Sequence, residues 1–191
     1  LLLRVKRMKR LFDLLIVLLA SFFLAIPLLS LFILVFLTSR GNIIYWSKRV
    51  GQFNRCFNMP KFRSMDINTP QTATHLLKNP DIYLTPIGSF LRKSSLDELP
   101  QFWSVFRGDM SIVGPRPALF NQDDLIALRK ARGIDKLKPG ITGWAQVNGR
   151  DELSIYDKVV LDEEYLNQQS FWFDVKILWI TLLQVITRDE V

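Results

Sequence analysis

The stretch LFDLLIVLLASFFLAIPLLSLFILVFL, residues 11–37, decides the architecture of this chain. It holds one charge, Asp13, and the 24 residues from Leu14 onward hold none. As a straight helix those residues reach about 36 Å at 1.5 Å per residue, enough to match a bilayer. The apolar core is too long for a signal peptide, and no small-x-small cleavage pattern precedes the polar region. Pro27 stands near the middle, where its missing N–H and its ring kink or break a helix.

The flanks bear on how the segment is used. Arg4, Lys6, Arg7, Lys9 and Arg10 precede it, and Arg40, Lys48, Arg49 and Arg55 follow it. The positive-inside rule draws both ends to the cytoplasmic face, which a helix that bends at Pro27 and returns satisfies. The other reading is a single span with a tolerated kink, since proline is common in membrane helices.

Composition agrees with one ordinary domain plus this appendage. The 191 residues are 49% hydrophobic with 9 Gly and 9 Pro, which argues against disorder. Residues 1–65 carry a net +10 and residues 66–191 a net −3. The basic excess thus gathers around the apolar segment, and an anionic membrane surface explains it better than nucleic acid. A lone cysteine, Cys56, excludes an intramolecular disulfide, and a single histidine, His75, leaves no cluster for structural zinc. His75 lies in the polar run NTPQTATHLLKNP, which reads as a loop, so a Ser-His-Asp triad has little support.

Beyond Arg40, IIYWSKRVG and FNMPKFRSM read as short strands of a hairpin around Gly51. QDDLIALRKARG, residues 122–133, has acids first, bases last and Gly133 beyond, the charge order of a helix with a glycine stop. SIYDKVVLDEEYLNQ opens at Ser154 with Asp157 three residues on, like a capped helix. The tail SFWFDVKILWITLLQVI is either an interfacial helix carrying Trp172 and Trp179 or a core helix.

The chemistry gathers around SSLDELPQFW, residues 94–103, where Asp97 and Glu98 stand side by side. Ser95 and Glu98 have the spacing of a capping box, which would give Glu98 a purely structural role. Pro100, best placed at a first helical position, would instead set the pair just before a helix. GDMSIVGPRP fixes Arg116 between two prolines, a rigid mount for a fork that grips phosphate. KPGITGWAQVNGR, residues 138–150, reads as a loop offering Trp144, Gln146, Asn148 and Arg150. With Lys61 and Arg92 these supply more fixed cations than a fold needs, and an anionic substrate accounts for them. Two carboxylates among such cations can hold Mg²⁺ against a diphosphate with one member while the other attacks phosphorus. The nearby helix start and Arg92 are expected to keep Asp97 ionised.

KRLFD, PKFRSM, SSLDELPQ, GDMSIVGPRP and PGITGWAQVNGR, in this order, resemble the bacterial polyprenyl-phosphate sugar-1-phosphate transferases of the small monotopic type. The resemblance runs from about Lys9 to near the C-terminus, without the additional N-terminal membrane domain of larger members, as in a minimal catalytic unit. It implies an α+β, mainly helical fold: a re-entrant membrane helix-hairpin at residues 1–40, kinked at Pro27, and a cytosolic catalytic domain at 41–191 with a short β-hairpin and amphipathic interfacial helices. It further implies Mg²⁺, a UDP-sugar donor, undecaprenyl phosphate as acceptor, and a seat on the cytoplasmic face of the bacterial inner membrane, among its lipids. No nucleic acid is expected, and the exposed apolar helix permits a homodimer.

Carried over by motif, Asp97 is the nucleophile that takes the sugar phosphate and expels UMP, and Glu98 is the Mg²⁺ ligand. Arg116, Arg92 and Lys61 are phosphate contacts, and the GWAQVNGR segment with Trp144, Gln146, Asn148 and Arg150 is the nucleotide-sugar region. Many members place Ser-Pro at the membrane kink, where this chain has Ile26-Pro27. The stretches around NTPQTATHLL and GPRPALFNQ look most similar to members that transfer N-acetylated, sometimes 6-deoxy, aminosugars. Two other classes compete: a membrane-anchored basic lipid-binding or scaffold module, and a sugar transferase that releases UDP rather than UMP.

Overall fold

A computed structural model describes residues 2–70, 79–149 and 152–187. The expected loop position of His75 and the expected substrate contact of Arg150 lie outside these residues. Helix α1 (Leu2–Phe23) runs into α2 (Ala25–Thr38) through a break at Leu24, and the pair is bent by 68°. Among the described residues no single helix is long and apolar enough to cross a membrane; Arg7–Phe23 and Ala25–Thr38 have that length and composition only together. Pro27 lies in the first turn of α2, just past the bend rather than at it. Its absent N–H is the one that would reach back four residues to the carbonyl of Phe23, where its ring also clashes, so the α1 ladder stops at that point.

The two ends of this pair rest on the same body. At the foot of α1, Asp13 is 3% exposed and accepts from Ser111 Oγ and the Ile112 amide, each at 3.0 Å. Arg10 donates to the carbonyls of Val105 and Phe106 at 2.5 and 2.7 Å. At the far end, Leu31 and Val35 of α2 pack with Phe62 and Leu91. Between these anchors the apex stands clear, with Phe22, Phe23 and Ile26 each more than 70% exposed.

Strands β1 (Ile44–Val50) and β2 (Cys56–Phe62) form the expected antiparallel hairpin, in register from Ile44↔Phe62 to Val50↔Cys56. The left-handed backbone of its turn falls on Phe53 and Asn54 rather than on Gly51. After α3 (Gly88–Lys93) a 3-10 turn, Leu96–Gln101, leads into α4 (Phe102–Arg107). Strand β3 (Ser111–Val113) precedes β4 (Ala118–Leu119), which adds antiparallel to β1 through Arg49↔Leu119 and Val50↔Ala118. Helix α5 (Asp123–Ala131) ends before Gly133 at φ +71, as its charge order predicts.

Residues 138–149, the described part of the 138–150 stretch, are not the open loop read from the sequence. Gly140–Thr142 is β5, parallel to β3, and Trp144–Val147 is a short helix, α6. The glycines serve packing: a Cβ at Gly140 or Gly143 would collide with the backbone of Gly114. Helix α7 (Ile155–Gln168) is capped by Ser154, whose hydroxyl accepts from the Asp157 amide at 3.1 Å. Helix α8 (Phe171–Ile186) has one face in the interior and one outside. It buries Asp174 and Ile177 while Trp172 and Trp179 stay exposed. The main core gathers Met59, Val105, Met110, Val113, Tyr165 and Ile177 where α1, α8 and β3 meet.

Candidate active site

The turn that carries the acidic pair is set by backbone, not by a side-chain cap. Ser95 adopts a left-handed conformation, φ +57, and its side chain caps nothing. The Glu98 amide donates instead to the Ser95 carbonyl at 3.1 Å, so the capping box that the Ser95–Glu98 spacing allows does not form. Asp97 and Glu98 occupy the first turn of the 3-10 segment, with Pro100 inside it rather than opening a helix.

Both carboxylates turn inward, with side chains 10% and 12% exposed. Glu98 Oε1 accepts from Lys61 Nζ of β2 at 2.7 Å and from Arg116 Nη2 at 3.0 Å. Burial pushes the Glu98 carboxyl up, but Arg116 and Lys61, by charge and hydrogen bond, outweigh it and hold the group well below the usual carboxylate range. Asp97 fares differently. Its Oδ2 lies 3.8 Å from Lys61 Nζ, too far for a hydrogen bond. Burial pushes its carboxyl up; Lys61 opposes this and the Glu98 charge adds to it. The sequence led us to expect a carboxylate held down by Arg92 and the helix start, and desolvation wins instead. A raised carboxylate is the more basic of the two, and once ionised the better nucleophile.

The pair forms part of the wall of a cavity of about 550 Å³. Of the residues singled out from sequence, Lys61, Arg92, Asp97, Glu98, Arg116 and Gln146 line it. Gln146 donates to the Ile141 carbonyl at 2.8 Å, while its buried Oε1 has no partner among the described residues. Trp144 and Asn148 do not line the cavity. The Trp144 indole donates to Glu164 at 2.8 Å, its ring lies 5.1 Å from Phe173, and Lys176 sits over it at 5.3 Å. Asn148 donates to the Trp144 carbonyl at 2.7 Å and closes α6. They lie away from the cavity because α6 turns that side of the segment toward α7 and α8.

Sequence reasoning passed over Arg49, Arg129 and Lys158, which line the same cavity. Arg129 looks like a base at the end of a helix and Lys158 like one on a solvated face, and nothing local distinguishes either from such a residue. Arg49 had a signal in the SKR run of β1, next to the strand that carries Lys61.

Among the described residues no three His, Cys, Asp or Glu side chains gather to hold a metal alone. The donor set nevertheless fits Mg²⁺ in its usual manner, held by one or two carboxylates together with substrate phosphates. Glu98, whose Oε1 takes both cations, is the carboxylate placed to hold it.

Comparison with known proteins bears on the same residues. The profile of the family described as Bacterial sugar transferase matches residues 4–188. The UDP-galactose-lipid carrier transferase of Erwinia amylovora is 39% identical over 95% of this chain and 41% of its own length. The undecaprenyl-phosphate glucose phosphotransferase of Komagataeibacter xylinus is 41% identical over 91% of this chain and 35% of its own. An Aeromonas hydrophila relative, named as transferring N-acetylgalactosamine phosphate to undecaprenyl phosphate, is 38% identical over 86% of this chain and 41% of its own. The chain thus spans about two fifths of the length of these relatives or less. With a matched profile covering the acidic pair, the cations around it and both helices of the bent pair, the chain belongs to the bacterial sugar transferase family.

Proposed function

We propose that the chain transfers a sugar 1-phosphate from a UDP-sugar to undecaprenyl phosphate, with Asp97 as nucleophile, in the first membrane step of surface polysaccharide or glycoconjugate assembly. The observation that carries this reading is the split between two adjacent carboxylates in one cation-lined cavity. Glu98 is committed to Lys61 and Arg116, and Asp97 makes only a looser contact.

In the first step an Asp97 carboxylate oxygen attacks the sugar-bearing phosphorus. The bond from that phosphorus to the bridging oxygen breaks, and UMP leaves with the electron pair. In the second step an oxygen of undecaprenyl phosphate attacks the same phosphorus and breaks its bond to Asp97, regenerating the carboxylate. Lys61, Arg92 and Arg116 bind and orient the diphosphate; Glu98 holds Lys61 and Arg116 in place. Glu98 would hold Mg²⁺ together with the substrate phosphates, and the ion would supply charge neutralisation there.

Several features support a seat on the cytoplasmic face of the inner membrane. Both ends of the bent helix pair rest on the catalytic body, while Phe22, Phe23, Ile26 and Leu29 at the apex are exposed. Trp103 and Phe106 of α4 and Trp172 and Trp179 of α8 are about half exposed or more, as interfacial aromatics are. A re-entrant helix pair satisfies these and the basic flanks together.

The relatives' names include galactose, glucose and N-acetylgalactosamine, and an N-acetylated aminosugar is the donor we expect. The test is a panel of UDP-sugars incubated with Mg²⁺, undecaprenyl phosphate and the purified protein. UMP from one donor is expected; UDP would mean transfer of the sugar alone, and no nucleotide from any donor would reject catalysis.

A further inference from the structure

The proposed reaction leaves several cations of the cavity without a task, Arg129 among them. Arg129 of α5 has a side chain only 12% exposed, and its Nε and Nη2 donate to Asp162 Oδ2 at 2.9 and 2.6 Å. Asp162, on α7, is 1% exposed. The remaining arm of the fork, Nη1, donates to the backbone carbonyl of Arg116 at 2.8 Å. So α7 holds Arg129, and Arg129 holds the residue whose own fork reaches Glu98.

This matters because of how the Pro115-Arg116-Pro117 segment is built. Two of its three residues have no N–H, so it has little means of bracing itself by backbone donors. It is braced through its carbonyls. The Gly140 amide donates to Pro115 at 2.9 Å, Arg129 to Arg116, and Arg49 to Pro117 at 3.2 Å. Arg129 supplies the middle brace, the one at the catalytic arginine. Its planar fork serves two acceptors at fixed angles, which a lysine ammonium does not reproduce.

We propose that Arg129, anchored by Asp162, is a positioning residue that holds Arg116 on Glu98 for phosphoryl transfer. This rests on the function proposed above. The competing explanations are that Arg129 only neutralises a buried Asp162, or that it touches substrate independently of Arg116.

A double-mutant cycle on the full-length protein separates them, with kcat for UMP release and the thermal midpoint as readouts. Arg129→Lys keeps the charge and should lose about 10–100-fold in kcat, the scale of an ångström-level misplacement. In an Arg116→Lys background the same substitution should cost less than about threefold, because residues that act through one another are not additive. If Arg129→Lys does not fold, Asp162→Asn weakens the same anchor and carries the same test. Equal losses in both backgrounds, or a loss below about twofold in the wild-type background, would overturn the assignment while leaving the transfer reaction standing. A wild type that releases no UMP from any donor would overturn the reaction and this proposal with it.

Discussion

Glu98 Oε1 lies 2.7 Å from Lys61 Nζ, closer by more than an ångström than Asp97, one residue earlier on the same turn, comes to that ammonium. The lysine therefore belongs to Glu98. With Arg116 on the same oxygen, Glu98→Gln removes the counter-charge of two largely buried cations. Glutamine keeps the shape, yet it should cost about 1–3 kcal/mol of stability at neutral pH. Turnover should fall at least about 100-fold. Thermal melts and UMP assays on the same preparation check both halves; near-normal activity would remove Glu98 from the machinery.

The opposite shift at Asp97 has an opposite signature. Its folded carboxyl is raised, so its contribution to stability is fully present below the unfolded value of about 3.9 and is lost as pH rises through the folded value. At pH 7.5, in EDTA, Asp97→Asn should melt at or above the wild-type temperature, and the advantage should shrink toward pH 4. A variant clearly less stable at pH 7.5 would contradict the burial argument.

The docking of α1 rests on Asp13, which satisfies Ser111 Oγ and the Ile112 amide in the interior. Asp13→Ala leaves both donors without that acceptor and should destabilise the protein by about 1–3 kcal/mol. Thermal unfolding in detergent checks this, and an unchanged midpoint would mean that α1 is held by its other contacts, those of Arg10 and the packing of Val17 among them.

Topology is tested in cells. Cysteines replacing the exposed Arg7 and Arg55, each with Cys56→Ser, should both resist an impermeant thiol reagent until the inner membrane is opened. Labelling of the Arg7 site from outside would replace the re-entrant pair with a span.

Much of the fold was legible because local chemistry governs it. The β1–β2 hairpin, the charge order of α5 and the Ser154 cap all follow from residues within a few positions of one another. The parallel β3–β5 pair was not legible: three-residue strands carry no periodicity, and glycines at 114, 140 and 143 read as a loop when they permit two backbones to touch. At the site, the adjacent carboxylates and the proline-bounded Arg116 stood out in sequence. Which acid the cations would choose did not, because that depends on where β2 brings Lys61. The place of Trp144 was not legible either, because its indole donates to Glu164 and packs near Phe173 through contacts that α7 and α8 bring from far along the chain.

The central claim is that Asp97 carries the sugar phosphate, and intact-mass measurement of the protein incubated with its UDP-sugar and Mg²⁺, without lipid acceptor, tests it most directly. The account predicts about one equivalent of UMP released, a mass increase equal to one sugar phosphate that vanishes on adding undecaprenyl phosphate, and neither in Asp97→Asn. The same adduct on Asp97→Asn, or lipid-dependent UMP release from the wild type with no adduct under any condition, would contradict it.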